Sequence, residues 1–346
     1  MPAKPLASPY AGITPVLALA LVAIVVFSIR FGAVAISFDD MASALTKGFG
    51  APDSLNLTER IFLEIRLPRA LACILVGASL AVGGVLMQAL FRNPIVEPGL
   101  VGTSSGAAFG ASLYFVLGAA LKFHAGEWTL PIAACLGGAV ATACVFLLAE
   151  TGTAHTETTT GLLLIGIAIN ALFLSGVGFL SYIARDPQAR SITFWSLGTL
   201  SGANWRAVIL LAGSTIVGVA IALRHARQLN ALMMGEDEAL YLGIDVRRLK
   251  LTIIAVNVMI VAVATSITGV ISFVGLIVPH LLRLLKGSDN RFLLIGSVFL
   301  GAILLTVADI AARVLLRPAE LPIGIVTSAV GAPVFITLLR RRRYRF

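Results

Sequence analysis

The sequence predicts an all-α, polytopic membrane protein with ten transmembrane helices. Three observations carry that expectation. Apolar residues make up 58% of the 346 and mean hydropathy is +0.97. Charged residues reach only 12%, about half of the roughly 25% that a soluble protein carries. The apolar residues also gather into stretches free of Asp, Glu, Lys and Arg: 5–29, 70–91, 98–121, 128–149, 158–184, 207–223, 251–282, 292–308 and 321–339. The same figures exclude a secreted disulfide scaffold, a disordered chain and an ordinary cytosolic enzyme.

Each stretch is measured against the roughly 20 residues a helix needs to cross a hydrocarbon layer of about 30 Å. The first crossing is expected at 12–36. Lys4, the apolar run and Ala33-Val34-Ala35 resemble a signal peptide with its cleavage site, but the uncharged run is longer than a usual signal core, so a retained helix is expected. Crossings at 66–91, 98–121, 128–149, 158–184 and 205–224 follow. Between the fifth and sixth, SITFWSLGTLSGANW (191–205) is too short and too polar to span, and is expected as a re-entrant or surface segment at the outer face. The stretch 251–282 has 32 residues between two basic flanks, which demands an even number of crossings. The polar run Thr265-Ser266-Ile267-Thr268-Gly269 supplies the turn, giving helices at 249–267 and 270–286. Crossings at 292–315 and 321–340 complete the set.

Basic residues cluster in the short connections: Arg224, Arg227, Arg247, Arg248 and Lys250, then Arg283, Lys286 and Arg291, then Arg340 to Arg343 and Arg345. Under the positive-inside rule these lie in the cytoplasm, together with both termini and the loop 225–248. The net charge of +9 belongs to those loops, so no nucleic-acid partner is expected. The whole chain, 1–346, is expected to form one transmembrane domain.

Two packing features stand out. Gly102, Gly106 and Gly110 recur every four residues, which predicts a glycine groove facing a neighbouring helix. Pro/Gly breaks in FRNPIVEPGLVG (91–102) and GVISFVGLIVPH (269–280) follow the second and seventh crossings, and broken helices at matching places in two halves mark transporter cores built from repeats.

Several chemistries are missing. Cys73, Cys135 and Cys144 lie inside apolar runs with no metal or disulfide spacing, and His124, His155, His225 and His280 share none either. No G-x-x-x-x-G-K-[ST] cradles a nucleotide, and Leu200-Ser201-Gly202-Ala203 only superficially matches an ATPase signature. There is no intramembrane row of carboxylates for a proton relay. No permanently bound cofactor and no metal site are expected.

Four segments in order, RLPRALACILVGASLAVGGVLMQALFRNPIVEPGLVGTSSGAA (66–108), LYLGIDVRR (240–248), GVISFVGLIVPHLLR (269–283) and ADIAAR…ELPIGIVTSAVGAPVF (308–335), resemble the permease subunits of binding-protein-dependent ABC importers for iron chelates, haem and cobalamin. The resemblance covers about residues 60–340. It implies a cobalamin-permease-like fold, ten helices per subunit, a homodimer around a central pathway, two cytoplasmic ATPase subunits that use the ATP, and a periplasmic binding protein. It implies a subunit without its own ATPase site, in a bacterial inner membrane.

The resemblance also assigns residues. Arg66 and Arg69 begin the second crossing three residues apart on one helical face, and Arg313 sits near the outer end of the ninth with Asp309 one turn earlier. Matching arginines pair with carboxylates on the binding protein, a role that suits the planar, permanently charged guanidinium. The plainer reading is ordinary interfacial arginines. In the loop, Met233, Met234, Ala239, Leu240 and Leu242 are apolar in a segment bathed by cytosol, and Gly235 and Gly243 bracket Glu236-Asp237-Glu238. Two short helices with a sharp turn are expected, matching the family's coupling helix, with Gly235, Glu236, Ala239, Leu242, Gly243 and Ile244 seated against the ATPase. Asn93, Thr159 and Thr160 match a cytoplasmic gate; a capping Asn and threonines at a helix start are the alternative. Asn170 either lines the pathway or bonds across helices. For cargo, ITFWSLGTLSGANW (192–205) and the FRNP-x-x-EPGL form are most similar to haem permeases, with cobalamin and then ferric siderophores as alternatives. An ion-coupled secondary transporter is the alternative from another class.

Overall fold

The computed structural model describes residues 12–32, 34–50, 54–118, 126–150 and 159–341. Among them every regular element is helical. In chain order these are α1 (Ile13–Arg30), α2 (Phe38–Gly50) and a short α3 (Leu57–Ile61) that continues through a π-helical turn (Phe62–Arg66) into α4 (Leu67–Leu90). A 3-10 turn (Pro98–Val101) leads into α5 (Thr103–Leu113), which ends in a second π-helical turn (Tyr114–Gly118). Then come α6 (Thr129–Glu150), α7 (Thr159–Ile183), α8 (Asp186–Ser196), α9 (Trp205–Arg224), α10 (Ala226–Met234) and α11 (Glu236–Tyr241). The chain closes with α12 (Val246–Thr268), α13 (Val274–Lys286), α14 (Asn290–Val314) and α15 (Ile323–Arg341).

Seven of the described helices are long and apolar enough to cross a bilayer: α1, the continuous helix through α4, α6, α7, α9, α12 and α14. The three other crossings expected from sequence fall on shorter apolar helices, α5 with its π-helical extension, α13 and α15.

α4 is the hub. Every residue from Val76 to Leu90 is buried, and α14, α13, α12 and α9 surround it. α14 runs antiparallel to it: Arg69 pairs with Asp309, and Gly77 lies against Gly301. Within a membrane, where lipid tails are as apolar as leucine, such close contact replaces the hydrophobic effect as the source of helix association. The predicted glycine groove is of this kind. A Cβ on Gly106 would lie 2.3 Å from the Gly137 carbonyl oxygen of α6, and one on Gly110 would lie 2.1 Å from that of Ala133.

Four features differ from the sequence expectation. α1 ends at Arg30 rather than near 36, and its last turn is closed by the Phe31 N–H donating to Phe27 O. The segment 38–61 holds two helices not foreseen. Asn56 caps α3, and the buried Glu59 carboxylate accepts from Ser43 Oγ at 2.5 Å, Lys47 Nζ at 2.8 Å and the Asn56 N–H at 2.7 Å, which pins α2. The segment 191–205 is not irregular throughout: Asp186 and Pro187 open α8, and only 197–204 is loop. Pro fits there because first-turn N–H groups lack helical partners. Last, the turn expected over 265–269 comes at the end of that run, with α12 continuing through Thr268, one residue past the expected 267. Ser266 and Thr268 bond back to Val263 O and Ala264 O, and the chain reverses only at Gly269, whose φ of +72° suits a residue without Cβ.

Candidate functional site

Three groups of residues stand along the bundle: one at each end and one between. At the first end, the Asp309 carboxylate is 1% exposed and lies between two guanidinium groups. Its Oδ1 is 2.9 Å from Arg69 Nη2 and its Oδ2 is 2.9 Å from Arg313 Nε. Arg69 also reaches Glu320 at 2.9 Å. Arg313 is 8% exposed and donates to Ser28 Oγ at 2.7 Å, to Phe31 O at 3.0 Å and to Ser28 O at 3.3 Å. These bonds tie α1, α4 and α14 together. Arg66 differs: it is half-buried and, among the described residues, bonds only the Phe31 carbonyl at 3.3 Å and makes no ion pair. The structure thus brings the three arginines together but gives them unequal freedom. Arg69 and Arg313 are spent on internal carboxylates, and Arg66 keeps donors for something else.

At the opposite end, α10 and α11 meet at a sharp turn at Gly235, with φ +155° and ψ +159°. α11 closes with the Gly243 N–H donating to Leu240 O and the Ile244 N–H to Ala239 O, with Gly243 left-handed at φ +79°. α10 is moored on the start of α14, where Asn230 donates to Asp289 Oδ2 at 2.9 Å and accepts the Asn290 N–H at 2.8 Å. α11 is moored through Glu236, 2.7 Å from Lys250 Nζ and 3.9 Å from Arg92. Ala239 is buried, facing inward. The tip instead exposes Met234, Leu240, Tyr241 (90%) and Leu242 (64%). An apolar cluster of that kind away from the membrane spans marks a partner surface.

Asn93 lies beside Arg92 at the same end. Its Oδ1 accepts the Ile95 N–H at 3.0 Å in a local Asx turn, and its N–H closes onto Gln88 O. Thr159 and Thr160 open α7; their side chains lie outside the described residues.

Between the two ends the two chain breaks meet. Asn170 of α7 donates to Leu100 O at 3.0 Å and Gly99 O at 3.3 Å, and accepts from Ser105 Oγ at 2.5 Å, so it bonds across helices and clamps the first break. It also lines a cavity of about 470 Å³ together with Glu97, Ser105, Ser196, Ile271 and Ser272. Glu97 accepts the Phe273 N–H of the second break at 2.6 Å. Sequence reasoning passed over Glu97 because it stands in the gap between two charge-free stretches. A single carboxylate flanked by Pro94 and Pro98 was the available signal. Gln88, which donates to Gly275 O at 3.1 Å and accepts from Arg283, carried no signal in the sequence.

Residues 20–341 match the FecCD transport family. The chain belongs to that family. This FecCD chain is 41% identical over 324 residues, 93% of each chain, to the hemin transport system permease protein HmuU of Yersinia pestis. It is 40% identical over 305 residues to the cobalamin import system permease protein BtuC of Halobacterium salinarum, covering 87% of this chain and 80% of that one. With the Fe(3+) dicitrate transport system permease protein FecC of Escherichia coli K12 it shares 37% over 318 residues, 90% and 91% of the two chains. A solved structure described as an inward-facing conformation of a metal-chelate type ABC transporter superposes with a TM-score of 0.84 at 32% identity, over 96% of this chain and all of that one. The FecCD chain is a multi-pass membrane protein and an ABC importer permease, and its relatives are permease subunits, not ATPases.

Proposed function

We propose that this permease carries haem inward across the bacterial inner membrane by alternating access, as a homodimer with two ATPase subunits on the cytoplasmic side and a periplasmic binding protein on the other. The observation that carries the haem reading is the 41% identity to a hemin permease across 93% of both chains. The 40% identity to a cobalamin permease over 305 residues keeps cobalamin as the second reading. In this scheme the Arg66 end faces the periplasm and the α10–α11 end, with both termini, faces the cytoplasm. Haem is cargo, and ATP is consumed by the partner.

The geometry supports a division of labour. Arg66 offers free donors to a binding-protein carboxylate, while Arg69 and Arg313, held by Asp309 and Glu320, position it and add to the local positive field. Residues 235–244 present an apolar tip to the ATPase. Asn93, with Thr159 and Thr160, forms the cytoplasmic gate, and Asn170 lines the pathway above it. The test is uptake into liposomes holding the permease, its ATPase and internal ATP, with binding protein loaded with haem or cobalamin outside. ATP-dependent haem accumulation supports the reading. Cobalamin uptake alone keeps the machinery and replaces the cargo, and uptake of either without ATP refutes the ATP-driven mechanism.

A further inference from the structure

Phe273 carries a backbone conformation that its residue type disfavours. It is the N-cap of α13 at φ +70° and ψ −20°, in the left-handed region. A side chain with a Cβ is strained there, and such strain persists only where the surroundings hold it. Its own carbonyl accepts the Leu276 and Ile277 N–H groups, so the first turn of α13 hangs from it. Its N–H is one of those that a helix start leaves without an internal partner, and at bilayer depth water does not supply one. Glu97, 176 positions away in the chain, takes that N–H at 2.6 Å.

The two breaks are pressed together elsewhere as well: a Cβ on Gly275 would lie 2.8 Å from Pro98 Cδ, and α4 packs against the same glycine. A Cβ on Gly84 of α4 would lie 1.9 Å from Gly275 O, and the same carbonyl receives Gln88 Nε2. The second break is bonded in turn to the loop after α8 through the Thr199 N–H and Thr268 O at 2.7 Å. That loop holds α15, whose Ile323 N–H donates to Gly198 O and whose Gly324 N–H donates to Leu197 O. The Phe273 ring packs on Gly331 of α15. Among the described residues Glu97 gives the strained residue's N–H its side-chain acceptor, at the joint between four segments and on the wall of the cavity that Asn170 also lines.

We propose that Glu97 is a positioning residue for transport: by accepting the Phe273 N–H it locks the second chain break to the first, so that both breaks turn as one body when the pathway opens and closes. The role of the lock in transport rests on the importer reading above; the lock itself does not.

Two readouts keep them apart. Amide exchange over 269–277 is measured on the purified full-length permease. Haem taken up per ATP hydrolysed is measured in the liposomes with both partners. A hydrogen bond to a carboxylate of this kind corresponds to about a 10- to 100-fold change in an opening equilibrium, so Glu97→Ala is expected to speed exchange at Phe273 by about that factor and to lower uptake per ATP about 10-fold. Glu97→Gln, which keeps an oxygen acceptor, is expected to stay near wild type in both. Adding Phe273→Gly to Glu97→Ala relieves the strain at φ +70° but supplies no acceptor, so the double variant is expected to stay uncoupled. Where Glu97→Ala does not assemble, Glu97→Asp, one methylene short, is expected to show the same losses to a smaller degree. Unchanged exchange in Glu97→Ala or Glu97→Asp, a Glu97→Gln as impaired as Glu97→Ala, or coupling restored by glycine alone would each overturn the proposal. Wild-type liposomes that take up no haem would count against the cargo reading, and the exchange experiment would still decide the lock.

Discussion

Charge reversal separates docking from folding at the arginine cluster. Arg66 makes one long bond, 3.3 Å to Phe31 O, and no ion pair, so Arg66→Glu breaks no buried network. An exposed ion pair is worth about 0.2–1 kcal/mol, and reversing one partner turns attraction into repulsion, about 1–2 kcal/mol per site. Two symmetric copies in a dimer double that to about 2–4 kcal/mol, which is about 30- to 1,000-fold in Kd at low ionic strength and less at high salt. Arg313→Glu is a different perturbation. At 8% exposure, its guanidinium lies 2.9 Å from Asp309 and bonds Ser28 and Phe31, so glutamate there sets two carboxylates against each other and strands the Ser28 carbonyl, while Phe31 O keeps its Arg66 donor. Breaking a buried pair by removing one partner costs about 3–5 kcal/mol. The assay is binding-protein affinity for the nanodisc-embedded complex at two salt concentrations, paired with thermal melting of the permease. Arg66→Glu is expected to lose affinity with an unchanged melting temperature, and Arg313→Glu to melt early. Wild-type affinity for Arg66→Glu at low salt, or a wild-type melt for Arg313→Glu, would refute the division between them.

Three further outcomes follow from the packing. Gly243 has open space around it and φ +79°, so Gly243→Trp is expected to cost about 1 kcal/mol of local strain, leave the fold intact, and let ATP hydrolysis run without uptake; wild-type uptake per ATP would count against the coupling role. Gly106→Leu drives a side chain into the Gly137 carbonyl and is expected to cost about 1–3 kcal/mol or more as α5 and α6 separate, read as a lowered melting temperature in detergent. Asn170→Leu takes the amide donor from the Leu100 carbonyl, at about 1–3 kcal/mol, while Gly99 O keeps the Gly102 N–H, and is expected to loosen the first break, seen as faster amide exchange over 98–103.

The sequence was most readable where one physical requirement dominated. Bilayer thickness sets the length of apolar runs, so α6, α7, α9, α12 and α14 lie close to where hydropathy put them. Close backbone approach needs glycine, so the groove at Gly106 and Gly110 could be anticipated, though its partner, α6, could not. Where a residue had two uses, the pattern misled. Ser266 and Thr268 were expected within the turn that Gly269 makes, but a hydroxyl in an apolar helix can bond its own i−4 or i−3 carbonyl, and both stay in the last turn of α12. Residues 38–61 were left without an expected element, because the amphipathic α2 is held by Glu59, a contact 12 to 16 positions away that no local pattern announces. The arginine cluster was visible as residue types, but pairing is a tertiary property: no spacing rule says that Asp309 is shared between Arg69, 240 positions away, and Arg313.

The same distinction bears on how the two ends of the bundle communicate. Glu236 at the start of α11 holds Lys250 at 2.7 Å and Arg92 at 3.9 Å, which fastens the apolar tip both to the first turns of α12 and to the end of α4. α12 then runs 23 residues, about 34 Å at 1.5 Å per residue, to Gly269, where the second break begins. From there Phe273 returns to Glu97, five residues beyond Arg92, and Gln88 ties Gly275 to α4. The contacts close into a ring of α11, α12, the second break, the first break and α4. A packed helix transmits a push along its axis with little compression, because protein interiors are dense. A displacement of α11 that carried α12 without the breaks would have to open either the Glu97–Phe273 bond or the Gln88–Gly275 bond. The polar contacts of the ring are few, and the one made by the buried Gln88 stands where losing it leaves an amide donor unpaired.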